Sequence, residues 1–117
     1  TINVFASYQF KNNMEKKQFK GTKGKWKFDE SLYVDTEREA VVETSQGGWT
    51  IAKVQDGSRN NNSSVIRANA QLTAAAPELL GALIDMIDLF EGYAHYGKSN
   101  QKAVGRAYEV INKALGL

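Results

Sequence analysis

The sequence predicts an α+β fold: an N-terminal antiparallel sheet of four to five strands packed on two to three C-terminal helices. Three observations carry this. Short β-branched and aromatic runs, separated by charged or glycine-rich turns, fill the chain up to Val54. A polar stretch, DGSRNNNSS over residues 56–64, then interrupts every apolar pattern. Beyond it the apolar residues recur at helical spacing. At 117 residues, the length predicts one domain, mainly β over 1–62 and mainly α over 63–117. Such a chain buries roughly two-thirds of its unfolded surface, enough for a core without covalent staples.

Residues 2–10 place Ile2, Val4, Ala6 and Tyr8 on alternate positions, the pattern of a first strand. Residues 25–28 put Trp26 and Phe28 on one face and Lys25 and Lys27 on the other, as a half-solvated strand does. Residues 32–34 and 40–44 are short strand-like runs, and Gly47-Gly48 signals a turn before a strand over 49–54. In the second half, Ser63 or Ser64 is the expected cap of a first helix. Pro77 lacks an N–H and disfavours helical geometry at Ala76, so the helix is expected to end or kink there. Proline suits the first turn of a second helix, and Glu78 the positive end of its dipole. That helix carries Leu79, Leu80, Leu83, Ile84, Met86, Ile87 and Phe90 over more than half its circumference, against a narrow stripe of Glu78, Gly81, Asp85 and Asp88. An apolar surface this wide needs cover on two or more sides, which a sheet and another helix would supply and a subunit interface could replace; a homo-oligomer joined through helix 79–90 is the expectation. After a break over 92–100, Ser99 or Asn100 is placed to cap a last helix. Its apolar face is Val104, Ala107, Tyr108, Ile111 and Leu115, and its opposite face Lys102, Arg106, Glu109 and Lys113.

The chain has no cysteine, which excludes disulfides, thiolate metal sites and cysteine nucleophiles. No apolar run approaches the roughly 18 residues that span a bilayer, so no membrane association is expected. The net charge is only +2 but is unevenly placed. Residues 1–28 hold seven lysines against one glutamate, and residues 29–46 six acids against one arginine. Blocks of opposite sign can pair across neighbouring strands. The basic block is equally a candidate contact for a polyanion.

The stretch 69–80, Asn-Ala-Gln-Leu-Thr-Ala-Ala-Ala-Pro-Glu-Leu-Leu, resembles the Asn-Ala-x-Leu-Ile-Ala-Ala-Ala-Pro-Glu-Leu-Leu signature of small phage and prophage proteins of uncharacterised function. Gly-Thr-Lys-Gly-Lys-Trp at 21–26 resembles their Thr-Pro-Gly-Pro-Trp opening turn, with Lys23 and Lys25 in place of the prolines, and Ile-Ala-Lys-Val at 51–54 their central strand. Thr73 departs from the usual aliphatic residue. Met14-Glu15-Lys16-Lys17 reads as a start just upstream of the matching region, leaving 1–13 as an integral strand or an appended segment. The resemblance implies an accessory factor in the cytoplasm of a bacterial host, acting by binding a host protein or a small ligand, with counter-defence as one such role.

No catalytic constellation accompanies these elements. His95 is the only histidine and lies in a glycine-bounded loop. Asp85 and Asp88 are two carboxylates one turn apart on a solvated face. Gly21–Gly24 lacks the strand-to-helix setting of a phosphate loop. The expectation is a non-enzymatic binding protein with no cofactor and no metal site. Guanidinium groups suit anionic forks, which makes Arg59, Arg67 and Arg106, with Asn61 in the polar loop, the candidates for an anionic ligand. The alternative is nucleic acid bound along 16–27, where Lys20, Lys23, Lys25 and Lys27 would meet phosphates and Trp26 would stack on a base.

Overall fold

The computed structural model describes residues 19–58, 60–90 and 98–117. The expected strand over 2–10, Lys16, Arg59 and His95 lie outside them. The chain divides into two compact units, one of Thr22–Leu79 and one of Thr1–Gly21 with Leu80–Leu117.

The first unit holds a four-stranded antiparallel sheet and the start of a long helix. Its strands are β1 (Trp26–Lys27), β2 (Tyr33–Val34), β3 (Glu39–Thr44) and β4 (Thr50–Val54). β3 is central. One of its edges pairs with β1 (Trp26 opposite Thr44) and with β2 (Tyr33 opposite Ala40). Its other edge pairs with β4, with a register shift at Val42/Glu43. Between β1 and β2 the chain makes a 3-10 turn, Glu30–Leu32, which Asp29 caps by accepting from the Ser31 amide at 3.0 Å. The Asp29 carboxyl also accepts from the Ser31 hydroxyl. That hydroxyl contact is the main cause holding the Asp29 carboxyl below the ordinary carboxylate range.

The alternation expected at 25–28 is present. Phe28 is buried, Trp26 is half-buried against the same core, and Lys27 points the other way to an ion pair with Glu43 at 3.6 Å. The opposite-charge blocks thus do meet across strands at this pair. Ala40 and Val42 of β3 face the same core as Phe28, and the helix supplies Ile66, Ala70 and Ala74. The alanines let the helix lie close to the sheet. Ile66 and Val42 are fully buried, and each such side chain contributes about 1.5–3 kcal/mol of hydrophobic free energy.

The helix α1 spans Ser63–Phe90 without interruption and contains Pro77. The helix does not end at Ala76. Each half of the helix has its own apolar partners, and burying both sides offsets the interior proline. In the second unit, Leu80, Leu83, Ile84 and Ile87 of α1 pack on Val104, Ala107, Tyr108, Ile111 and Leu115 of α2, which spans Lys98–Leu115. The apolar face expected for the last helix is the one buried. The architecture is therefore α+β, a four-stranded antiparallel sheet followed by two helices.

The N-terminal cap of α1 is neither Ser63 nor Ser64. Asn62 Oδ1 accepts from the amides of Ser64 (2.9 Å) and Val65 (3.2 Å), the arrangement that satisfies orphan first-turn donors. No helix among the described residues is long and apolar enough to cross a membrane.

Candidate functional site

The polar loop before α1 is organised around one carboxylate. Asp56 accepts from the Ser58 amide (2.7 Å), the Ser58 hydroxyl (2.9 Å) and the Asn62 amide (2.5 Å). These bonds, the Ser58 amide first, hold the Asp56 carboxyl below the ordinary carboxylate range. The Ser58 hydroxyl oxygen accepts from the Asn60 amide at 3.2 Å, and the Asn61 carbonyl accepts from Arg38 at 3.3 Å. Asn61 adopts a positive φ of 48°, a conformation that asparagine tolerates better than most residues. The loop's polar groups thus serve the loop itself and the helix cap.

Arg67 is engaged within the sheet unit. Arg67 donates from Nε to Glu30 at 2.7 Å, places Nη2 2.6 Å from the same carboxylate oxygen, and stacks 4.1 Å from the centre of the Tyr33 ring. Its guanidinium is already engaged, and the hydrogen bond to Glu30 is the main cause that raises its pKa. Arg106 is exposed on α2, in the other unit. Among the described residues no group of three or more His, Asp or Glu side chains is placed to hold a metal ion.

The lysine strip is divided by the fold. Lys20 belongs to the helical unit and is exposed. Lys27 pairs with Glu43, and Trp26 packs against the sheet core while its Nε1 donates to the Thr22 carbonyl at 3.3 Å. Trp26 is half-buried and also borders an open pocket with Lys27, Phe28, Gln71, Ala74, Ala75 and Glu78. Lys23 and Lys25 border a cleft. With Gly24 they form one wall of this open cleft of about 330 Å³, and Thr44, Ser45 and Gln46 of the β3–β4 turn form the other. Gly24 has a φ of +90°, in the left-handed region that glycine enters without strain. The two lysines therefore flank a kink that a side chain at position 24 would oppose.

The far wall of the cleft is a closed turn. The Ser45 amide donates to the Lys25 carbonyl at 2.9 Å, tying the two walls together. Thr44 Oγ1 donates to the Gln46 carbonyl (2.7 Å) and accepts from the Trp49 amide (3.0 Å). The Thr44 amide donates to the Trp49 carbonyl at 2.8 Å. Gly47 and Gly48 take positive φ values of 91° and 64°. The indole of Trp49 folds over Gly47, since a Cβ built there would lie 3.0 Å from Trp49 Cδ1. Trp49 nevertheless stays 75 % exposed. The strand expected over 49–54 starts one residue later, at Thr50, and Trp49 precedes it at the end of the turn.

A model of the family described as Salmonella phage P22 protein Y8K6 matches residues 14–117. The chain belongs to this phage protein family. The match starts at Met14 and includes the sheet, the cleft and both helices. It establishes the phage lineage that the signature at 69–80 suggested, in a family of unknown function. No curated protein and no solved structure matches the chain.

Proposed function

We propose that this member of the Y8K6 family is a non-enzymatic phage accessory protein that binds a small anionic ligand in the cleft between residues 23–25 and the β3–β4 turn. The observation that carries this reading is the convergence of Lys23 and Lys25 on one cleft wall, opposite the hydroxyl- and amide-bearing Thr44, Ser45 and Gln46. Two ammonium groups supply charge, and Ser45 and Gln46 supply side-chain donors that fix orientation. We prefer the cleft to Arg67, one of the arginines expected from sequence, because its guanidinium is engaged by Glu30. Sequestering an anionic host metabolite is the counter-defence role such a site would serve.

Titration with inorganic pyrophosphate, followed by the fluorescence of Trp49 and by calorimetry, tests it. Saturable binding that Lys25→Gln weakens at least several-fold is expected. Heat and fluorescence unchanged in the wild type, or a Lys25→Gln curve superimposed on it, would contradict the proposal.

A second reading has its own support. An exposed indole on the turn that forms one cleft wall is a stacking platform beside phosphate-binding charge, the pairing used for single-stranded nucleic acid. An oligothymidine mobility shift at low salt that fades steeply with added salt would favour it, and no shift at low salt would remove it.

A further inference from the structure

The β3–β4 turn holds an aromatic ring in a fixed place beside the cleft. The Trp49 amide donates to Thr44 Oγ1 at 3.0 Å, and the Trp49 carbonyl accepts from the Thr44 amide at 2.8 Å. Thr44 is itself part of the cleft wall. Trp49 Cδ1, Trp49 Nε1 and Thr44 Oγ1 all lie within 4.0 Å of the point that a Cβ at Gly47 would take. Glycine at 47 thus serves both the φ of +91° and the room the indole uses. The ring rests on the glycine by its pyrrole edge and stays 75 % exposed. A π-face is left open next to a wall of the cleft.

Resting on the anion-binding cleft proposed above, we infer that its ligand is a nucleoside phosphate, held by its phosphate at Lys23 and Lys25 and by its base stacked on Trp49. The two lysines supply charge for a phosphate group. The indole offers a face on which any base can stack. Thr44 both lines the cleft and holds the Trp49 backbone, so one sugar can bridge the two subsites. The cleft, at about 330 Å³, lies at the small end of ligand sites, which suits one nucleotide. A bound strand would need a basic groove that follows its backbone over several nucleotides. The next lysine along β1, Lys27, is already paired with Glu43 at 3.6 Å. A single nucleoside phosphate is thus favoured over a strand.

Calorimetric titration of the full chain with inorganic pyrophosphate, ribose 5-phosphate and adenosine 5′-monophosphate separates the two subsites. The last two carry the same phosphate, so the ratio of their affinities reads the base alone. A ratio of roughly five or more in favour of the nucleotide is expected. Trp49→Ala should bring the ratio to near one, and Trp49→Phe should restore most of it, since a phenyl ring still stacks. The Thr44 bonds use only the Trp49 backbone, so both variants keep them. Lys25→Gln should weaken both ligands alike and keep the ratio. Pyrophosphate binding with a wild-type ratio near one would overturn the nucleotide class and leave the anion cleft standing. Absence of binding by all three would overturn both. A ratio unchanged by Trp49→Ala, or an affinity for oligothymidine that climbs steadily with its length, would also overturn the single nucleotide.

Discussion

Replacing Pro77 by alanine should stabilise this protein. The magnitude follows from where the proline sits. Pro77 lies in the interior of α1, where its missing N–H leaves the Thr73 carbonyl without its intrahelical donor and its ring crowds the same group. An interior proline is about 3 kcal/mol less favourable than alanine. Two effects reduce the gain. Proline restricts the unfolded chain, which offsets about 0.4–1 kcal/mol, and a helix that bends at a proline would relieve part of the clash. A net stabilisation of about 1–2 kcal/mol remains, or a Tm rise of roughly 4–8 °C for a chain of this size. Urea and thermal unfolding followed by far-UV circular dichroism measure it, and the native helical signal should not fall. The opposite sign is informative. If the chain broke at Ala76, Pro77 would occupy the first turn of a new helix, where proline is favourable, with Glu78 at the positive dipole end. Pro77→Ala would then be neutral or destabilising, and that result would refute an uninterrupted α1.

Three further outcomes follow. Ile66→Ala removes a fully buried side chain between helix and sheet, and equilibrium unfolding should show a loss of about 2–5 kcal/mol. Asn62→Ala removes the α1 cap and should cost about 1 kcal/mol, with Asn62→Ser recovering most of it in the same melt. Asp56 has a folded-state pKa below its unfolded value, so its contribution is complete above the ordinary carboxylate range and is lost as pH falls through the folded value. A stability–pH series should therefore show a shallower acid limb for Asp56→Asn than for wild type.

The fold was largely legible because its periodicities are local. The two-residue alternation at Trp26, Lys27 and Phe28 and the helical spacing of Val104, Ala107, Tyr108, Ile111 and Leu115 report burial directly. Three features were not legible, each for a physical reason. Local propensity marks Pro77 as a break, yet apolar partners on both sides of it override propensity, as tertiary packing commonly does. Ser63 and Ser64 both have cap chemistry, and only the Ser64 and Val65 amides donating to Asn62 Oδ1 show which residue stands one position outside the helix. The cleft depends on Lys23 and Lys25 meeting a turn some twenty residues downstream, a juxtaposition made by the β1–β3 register and marked by no spacing along the chain. The lysines themselves were visible in the sequence, whereas the position of Trp49 just outside β4 is set by the turn.

The most direct test of the anion-binding account is a residue-resolved titration. Amide chemical shifts of isotopically labelled protein, followed during addition of inorganic pyrophosphate, should move in a saturable way at Gly24, Lys25, Ser45 and Gln46, together with the indole N–H of Trp49. The amides around Arg67 and Arg106 should stay still. Shifts confined to those arginines, or no saturable shift at the cleft, would contradict it.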